Sequence, residues 1–444
     1  MGEQLRKRKK LTSFQSIILG FSAVILLGTL LLMLPVSSRA RTLTPFLDAL
    51  FTSTSAVCVT GLVLHDTATY WSGFGQGVIL LLIQIGGMGV ITVAASFAMI
   101  SGRRISLMQR STMQEAISAP KVGGIVRLTG FIIRITLLIE FLGAAVLAPV
   151  FLRDFGARGL WMALFHSVSA FCNAGFDLMG ARGEFSSLTS YSAQPVVNLT
   201  VMALIIIGGI GFLTWDDIRA NRLHMHKYRM QSKVILCTTA VLLVVPAVYF
   251  FFCEFRALPL GQRILVSLFQ AVTPRTAGFN TMDLTELSEP GQFLTLALML
   301  TGGSPGSTAG GMKTTTVAVL FAAAAATFRR KEHTHFFGRR IDDGVVRHAA
   351  TIFLMYIALF FAGALIISIA EGLEMRVCLF ETASAIGTVG LSLGITPGLG
   401  TLSRLILIAL MFFGRVGGLT LIFAAVSGVQ KNISKLPRET ITVG

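Results

Sequence analysis

Apolar runs long enough to cross a bilayer alternate along this chain with shorter amphipathic stretches. Residues 14–36, 78–100, 196–212, 234–252 and 352–369 carry no charged side chain. A hydrocarbon core about 30 Å thick needs ~20 such residues per helix. Between the long runs lie segments at 45–57, 160–171, 260–272 and 375–386. These are too short to cross and have the length of re-entrant segments. The pattern predicts spanning helix, half-helix, loop and returning helix, four times over.

The loops carry the repeat. Thr60-Gly61-Leu62, Ala174-Gly175-Phe176, Ala277-Gly278-Phe279 and Val389-Gly390-Leu391 stand at near-even intervals. Each glycine follows an alanine (Ala56, Ala170, Ala271, Ala385) by five or seven positions. Repetition at a fixed period decides an architecture more than any local pattern does. The expected fold is an all-α integral membrane protein with eight spans and four half-helices. It comprises four helix–pore-loop–helix repeats around a pseudo-fourfold axis, with a broken helix in the third. The expected boundaries are 13–101, 120–220, 229–330 and 341–428, between a basic N-terminus (1–12) and a C-terminal segment (429–444).

Composition agrees: 53% of the 444 residues are hydrophobic and 13% charged. The net charge of +16 would suit nucleic acid if it formed one patch. Instead most Lys and Arg fall in separated blocks, at 6–10, at Arg103, Arg104, Arg110, Lys121 and Arg127, at 219–233, at 329–347, and at Lys431, Lys435 and Arg438. Acids such as Asp283, Glu286, Glu289, Glu371 and Glu374 occupy the links between. That alternation is the positive-inside signature, with both termini cytoplasmic, and it excludes nucleic acid as a partner. The first apolar run is too long for a signal-peptide core and lacks a small-residue cleavage site, so it is expected to stay as a helix. Cys58, Cys172, Cys237, Cys253 and Cys378 have neither disulfide-framework nor zinc spacing. His65, His166 and the pairs at 224/226 and 333/335 are scattered over different repeats and links, which gives no enzyme constellation.

Four backbone loops meeting on one axis can replace the hydration shell of a monovalent cation with carbonyl oxygens. Glycine reaches the dihedrals that aligned carbonyls require. The candidate filter is Val57, Cys58, Val59, Thr60 and Gly61; Phe171, Cys172, Asn173, Ala174 and Gly175; Pro274, Arg275, Thr276, Ala277 and Gly278; and Ile386, Gly387, Thr388, Val389 and Gly390. Only the glycine is common to all four, so the filter should be less regular than a fourfold-symmetric one. Asp177, Asp283 and Glu381 lie near the loops as candidates for the outer mouth or as ordinary solvated or hydrogen-bonded groups.

These loops resemble those of the Trk/Ktr/HKT superfamily of potassium transporters, over essentially the whole chain. Two further stretches carry the resemblance. Residues 301–316 are similar to the family's intramembrane gating loop, and residues 412–420 to its last helix with a buried arginine. The short stretch before the first span resembles the Ktr-type pore subunit. Gly418 stands where relatives often have proline. Glycine at all four filter positions implies potassium over sodium. The resemblance further implies a homodimer with one pore per protomer, on a cytosolic ring of nucleotide-binding regulatory subunits. The chain offers no phosphate-binding loop of its own, so any nucleotide is the partner's. Potassium is the expected transported ion and sodium a candidate activating ion.

The residues 302–311 agree with the gating resemblance. Gly302, Gly303, Ser304, Pro305, Gly306, Ser307, Thr308, Ala309, Gly310 and Gly311 cannot continue a helix when each glycine costs roughly 1 kcal/mol. Apolar sequence flanks them on both sides, which predicts a helix broken within the membrane beneath the filter; the alternative is a loop at the cytoplasmic surface. Arg415 lies in an otherwise apolar run, where a charge costs about 2.5–3.5 kcal/mol on insertion scales. It is either a cavity-facing gate residue or a snorkelling anchor, and Lys313 poses the same choice between latch and anchor. The basic link 328–347 and residues 435–444 are either docking surfaces or solvated loops. Channel-like uptake across the cytoplasmic membrane is the expected function. A symporter with an alternating-access cycle is the competing class.

Overall fold

The computed structural model describes residues 12–100, 105–117, 123–222, 224–418 and 420, with only the backbone of 96–100. The expected basic residues at 6–10, Arg103, Arg104, Lys121, Lys431, Lys435 and Arg438 lie outside the described residues. So do most of the N-terminal segment, positions 421–428 and the C-terminal 429–444.

Among the described residues sixteen α-helices follow one another. The first group is α1 (Ser13–Met33), α2 (Phe46–Val57), α3 (Gly73–Met88) and α4 (Val90–Ile100), with a link helix α5 (Leu107–Ile117). The second is α6 (Ile125–Phe155), α7 (Arg158–Cys172), α8 (Pro195–Gly209) and α9 (Phe212–Asn221). The third is α10 (Met230–Tyr249), α11 (Leu260–Val272), α12 (Glu289–Leu300) and α13 (Thr314–Phe328). The last is α14 (Asp343–Glu371), α15 (Met375–Gly387) and α16 (Thr401–Val416). The link before α14 adds a small antiparallel hairpin pairing His335–Phe336 with Arg339–Arg340, an exception to the all-helical expectation.

The outgoing helices α1, α6, α10 (continued by a π turn to Glu254) and α14 are long and apolar enough to cross a membrane unbroken. The returning segments are each interrupted among the described residues, where a break was expected only in the third group. Gly89 separates α3 from α4 at φ 86°. Gly211 separates α8 from α9 at φ 94°, with a 96° bend between the two helices. Gly417 ends α16 at φ 89°, and the segment 301–313 parts α12 from α13. Such dihedrals are open to glycine and strained for other residues. The sequence carries a mark of these breaks in Gly86-Gly87-Met88-Gly89, Gly208-Gly209-Ile210-Gly211 and Gly414-Arg415-Val416-Gly417, which share the spacing of their first and last glycines.

The short helices α2, α7 and α15 are each wedged between their outgoing and returning helices, whereas α11 packs on α10 and α8. Ser53 on α2 donates to the Ile25 carbonyl at 2.7 Å, and Ser167 on α7 donates to the Glu140 carbonyl at 2.6 Å. The returning helices approach the C-terminal carbonyls of the short helices at glycine. A Cβ on Gly86 would lie 2.0 Å from the Val57 oxygen, and one on Gly208 2.0 Å from that of Phe171. This contact sets the height of loops one and two. Asp48 on α2, held by Arg404 of α16 at 2.8 Å and His65 at 2.9 Å, ties the last group of helices to the first.

Candidate functional site

The short helices α2, α7, α11 and α15 deliver four loops to one place. A Cβ on Gly61 would meet the Ala174 carbonyl oxygen at 2.5 Å, and one on Gly175 that of Ala277 at 2.8 Å. On Gly278 it would meet Val389 at 2.3 Å, and on Gly390 it would meet Thr60 at 2.2 Å. The contacts pass from loop to loop in chain order and the fourth closes on the first. Nothing larger than glycine fits at any of the four positions.

The residue two before each glycine is left-handed as well. Val59 has φ 57°, Asn173 59°, Thr276 77° and Thr388 52°, and the four glycines range from 69° to 94°. A left-handed non-glycine residue stores about 1–3 kcal/mol and persists where its surroundings over-determine it. Here the holding bonds are visible. The amides of Thr60, Ala174 and Val389 each donate 2.8 Å back to the serine carbonyl five residues earlier (Ser55, Ser169, Ser384). The Ser55 and Ser384 hydroxyls accept from the Gly61 and Gly390 amides at 3.1 and 3.0 Å. Loop three departs, since Ala277 donates instead to Thr273 at 3.0 Å, beside Pro274. Arg275 also contributes no side chain to the ring. Its guanidinium is buried beside α10, 3.5 Å from the Thr239 hydroxyl. None of this strain was legible in Val, Asn and Thr, which carry no sequence mark for it.

Four buried side-chain oxygens in these loops lack a hydrogen-bond partner among the described residues: Thr60 Oγ1, Asn173 Oδ1, Thr276 Oγ1 and Thr388 Oγ1. Buried polar atoms are ordinarily paired, and these four stand one in each loop, one or two residues before its glycine.

Outside the ring is a cavity of about 630 Å³ lined by all four glycines together with Asp66, Asp177, Glu184, Asp283 and Glu286. Among the described residues no Lys or Arg lines it. Burial pushes the half-buried Asp177 carboxyl up to about 7, against the Met179 amide that favours its charged form. Glu381 is not at this mouth. It is buried on α15 and accepts from Ser392 at 2.9 Å and from Thr396, so it braces the strand leaving loop four. Asp66 and Glu184 carry no sequence mark, and Glu286 reads from the sequence only as a link acid, because only folding brings their separate links together.

Inside the ring the segment 302–311 presses against the loops. The Thr308 hydroxyl donates to the Phe171 carbonyl at 2.9 Å and accepts from Asn173 Nδ2 at 2.8 Å. A Cβ on Gly310 would lie 2.1 Å from Thr388 Oγ1, and one on Gly311 2.7 Å from the Gly387 oxygen. The breaks in the other returning segments hold it. Ser304 and Thr308 amides donate to Gly209 and Gly208, Gly311 donates to Gly414, and Phe212 donates to Gly306. Ser307 turns back onto the Ser304 carbonyl at 2.7 Å. Pro305 approaches Gly211, and Gly302 and Gly303 pair with Met312 and Gly310. Lys313 donates to the Ala309 and Gly310 carbonyls at 2.9 and 3.2 Å. Arg415 donates to Thr308, Gly86 and Gly87 carbonyls. A second cavity of about 300 Å³, lined by Arg415, Lys313, Glu115 and Tyr356 among others, lies on the far side of this segment.

Behind loop two sits an acid that the sequence reading passed over. Glu140 on α6 is buried, accepts from Gln84 of α3 at 3.1 Å and lies 3.8 Å from the Cys172 sulfur. An acid midway in an apolar run was the available signal.

Residues 3–435 match the TrkH family, described as cation transport proteins. The chain belongs to that family. It is therefore a multi-pass membrane protein of a cation-transporter family rather than an enzyme. It is 39% identical to the potassium/sodium uptake protein NtpJ of Enterococcus hirae, over 99% of both chains. To the Ktr system potassium uptake protein B of Bacillus subtilis it is 37% identical, again over 99% of both. The crystal structure of the potassium transporter TrkH from Vibrio parahaemolyticus has the same fold. Its TM-score is 0.74 at 20% identity, covering 95% of this chain and 86% of that one.

Proposed function

We propose that this chain is the pore subunit of a Ktr-type potassium uptake system in the cytoplasmic membrane, with both termini cytoplasmic. The four repeats form a pseudo-fourfold pore, and their glycine loops are its filter. Potassium, the substrate, sheds water in the acidic outer cavity and is cradled by backbone carbonyls of the loops, from Val57–Gly61 round to 386–390. Field focusing by an acidic mouth raises the local cation concentration. The single observation that carries this reading is the closed circuit Gly61–Gly175–Gly278–Gly390, each glycine against a carbonyl of the next loop.

Residues 302–313 act as the gate. They fill the space under the ring, and Arg415 and Lys313 hold them there through backbone carbonyls. Opening requires that these bonds be exchanged, which a cytosolic nucleotide-binding regulatory ring docked on the basic links could drive. The names of the Bacillus subtilis relatives, proteins of a Ktr system, support a multi-component assembly. A homodimer, one pore per protomer, completes it. Sodium enters as an activating ion or as a co-transported one, and the potassium/sodium name of the Enterococcus relative favours its involvement.

The test is potassium and sodium flux into proteoliposomes carrying the full chain, with and without a regulatory subunit. Flux far above one ion per conformational cycle, selective for potassium and lost to sodium in Gly278→Ser, is expected. Slow, strictly coupled exchange would instead assign the protein to alternating access.

A further inference from the structure

A groove of about 910 Å³ lies between α6 and the bend of α8 into α9, away from the pore. Its walls are apolar: Val126, Phe131, Ile135 and Ile139 on one side, Ile207, Ile210 and Trp215 on the other. Three arginines, Arg127, Arg134 and Arg219, complete the lining. All three are exposed, and none has a carboxylate partner among the described residues. The acids nearest in sequence to Arg219, Asp216 and Asp217, are taken by Arg229 at 3.0 and 3.3 Å. Arg219 instead lies over the Phe131 ring at 4.7 Å.

The setting of these charges is unusual. Arg134 is nine residues into α6, about 13 Å along the helix axis at 1.5 Å per residue. It shares a face with Leu138 and Phe141, both strongly exposed on a helix that crosses the membrane. That face therefore meets lipid. An unpaired guanidinium there is costly unless it reaches an anion. Arg127, seven residues earlier on the same face, and Arg219, across the groove, line the same groove, which lies toward the end of α6 remote from the acidic vestibule.

We propose that this groove is a binding site for an anionic phospholipid. The acyl chains lie along the Ile and Val walls, and the phosphate receives charge-assisted hydrogen bonds from Arg127, Arg134 and Arg219. Guanidinium forks suit a phosphate's oxygens, and basic pockets between membrane helices are suited to such headgroups. The groove is apolar where a lipid tail would lie and cationic where its headgroup would sit, so charge complementarity favours an anionic lipid over a zwitterionic one. The site stands apart from the filter and gate, so its test is independent of the transport reading.

The experiment uses the purified full chain, titrated with phosphatidylglycerol, phosphatidylcholine or inorganic phosphate. Native mass spectrometry reads retained lipid and a melting curve reads stability. Phosphatidylglycerol is expected to be retained in preference to phosphatidylcholine and to raise Tm, while phosphate alone does neither. Arg134→Gln should lower that preference about fivefold and the triple variant R127Q/R134Q/R219Q about 100-fold, from the worth of one basic residue at an anionic surface. Their Tm in phosphatidylcholine should equal that of the unsubstituted chain. Should the triple variant not fold, the three single variants give the same comparison. Equal retention of the two lipids, a preference unaltered by the substitutions, or cross-links placing a second copy of the chain in the groove would overturn the proposal.

Discussion

The Arg415 guanidinium donates to the main-chain carbonyl of Thr308. The Thr308 hydroxyl in turn donates to the carbonyl of Phe171 at the foot of loop two. One residue thus joins the last returning helix, the plug and the ring of loops. Arg415 reaches the plug because Gly414 and Gly417 let its helix approach and then stop, and because Gly86 and Gly87 offer carbonyls where α3 breaks.

Removing that charge should loosen the plug. Arg415→Ala leaves three carbonyls without their donor, and hydrogen bonds from charged groups are worth about 1.5–3 kcal/mol each to what they hold. Potassium flux without a regulatory subunit is expected to rise about tenfold or more in proteoliposomes. Arg415→Lys should fall between, since one ammonium cannot reproduce the guanidinium fork. Flux unchanged in both variants would show that Arg415 is no part of the gate.

Gly310 faces Thr388 with no room for a side chain. Gly310→Val should push the plug away from loop four and raise basal flux, in the direction of Arg415→Ala. A decrease would mean that the added bulk blocks the passage rather than displacing the plug.

Glu140 supports loop two from behind. Glu140→Leu strands the Gln84 amide, at a cost of about 1–3 kcal/mol for an unsatisfied buried group. It should reduce the potassium-over-sodium flux ratio severalfold. Glu140→Gln can still accept from Gln84 through its carbonyl and should retain most of the ratio. Equal behaviour of the two variants would assign Glu140 to packing alone.

The tie between the first and last groups of helices should appear in stability. Asp48→Ala leaves Arg404 and His65 without their carboxylate. It is expected to cost about 1–3 kcal/mol, read as a lower Tm in detergent with an unaltered helical spectrum. No change in Tm would mean that packing of α16 on α2 closes the ring unaided.

The sequence alone determined the kind of molecule, because the causes are local and periodic. Apolar run lengths marked the membrane, and four similarly spaced glycines marked the loops. Glycines with a proline at 302–311 marked the break before α13, since so many of them cannot continue a helix. What tertiary structure decided is everything that depends on another segment's position. Val59, Asn173, Thr276 and Thr388 adopt left-handed backbones because serine carbonyls and neighbouring loops hold them there, and nothing in their own identity demands it. Glu381 stood open between the outer mouth and an ordinary hydrogen-bonded group, and its helix turns it into the core beside Thr396. Gly89, Gly211 and Gly417 break helices that composition alone would have run straight through. The reason is shared: a membrane helix forms on local hydrogen bonds, whereas a strained loop survives only where the rest of the fold surrounds it.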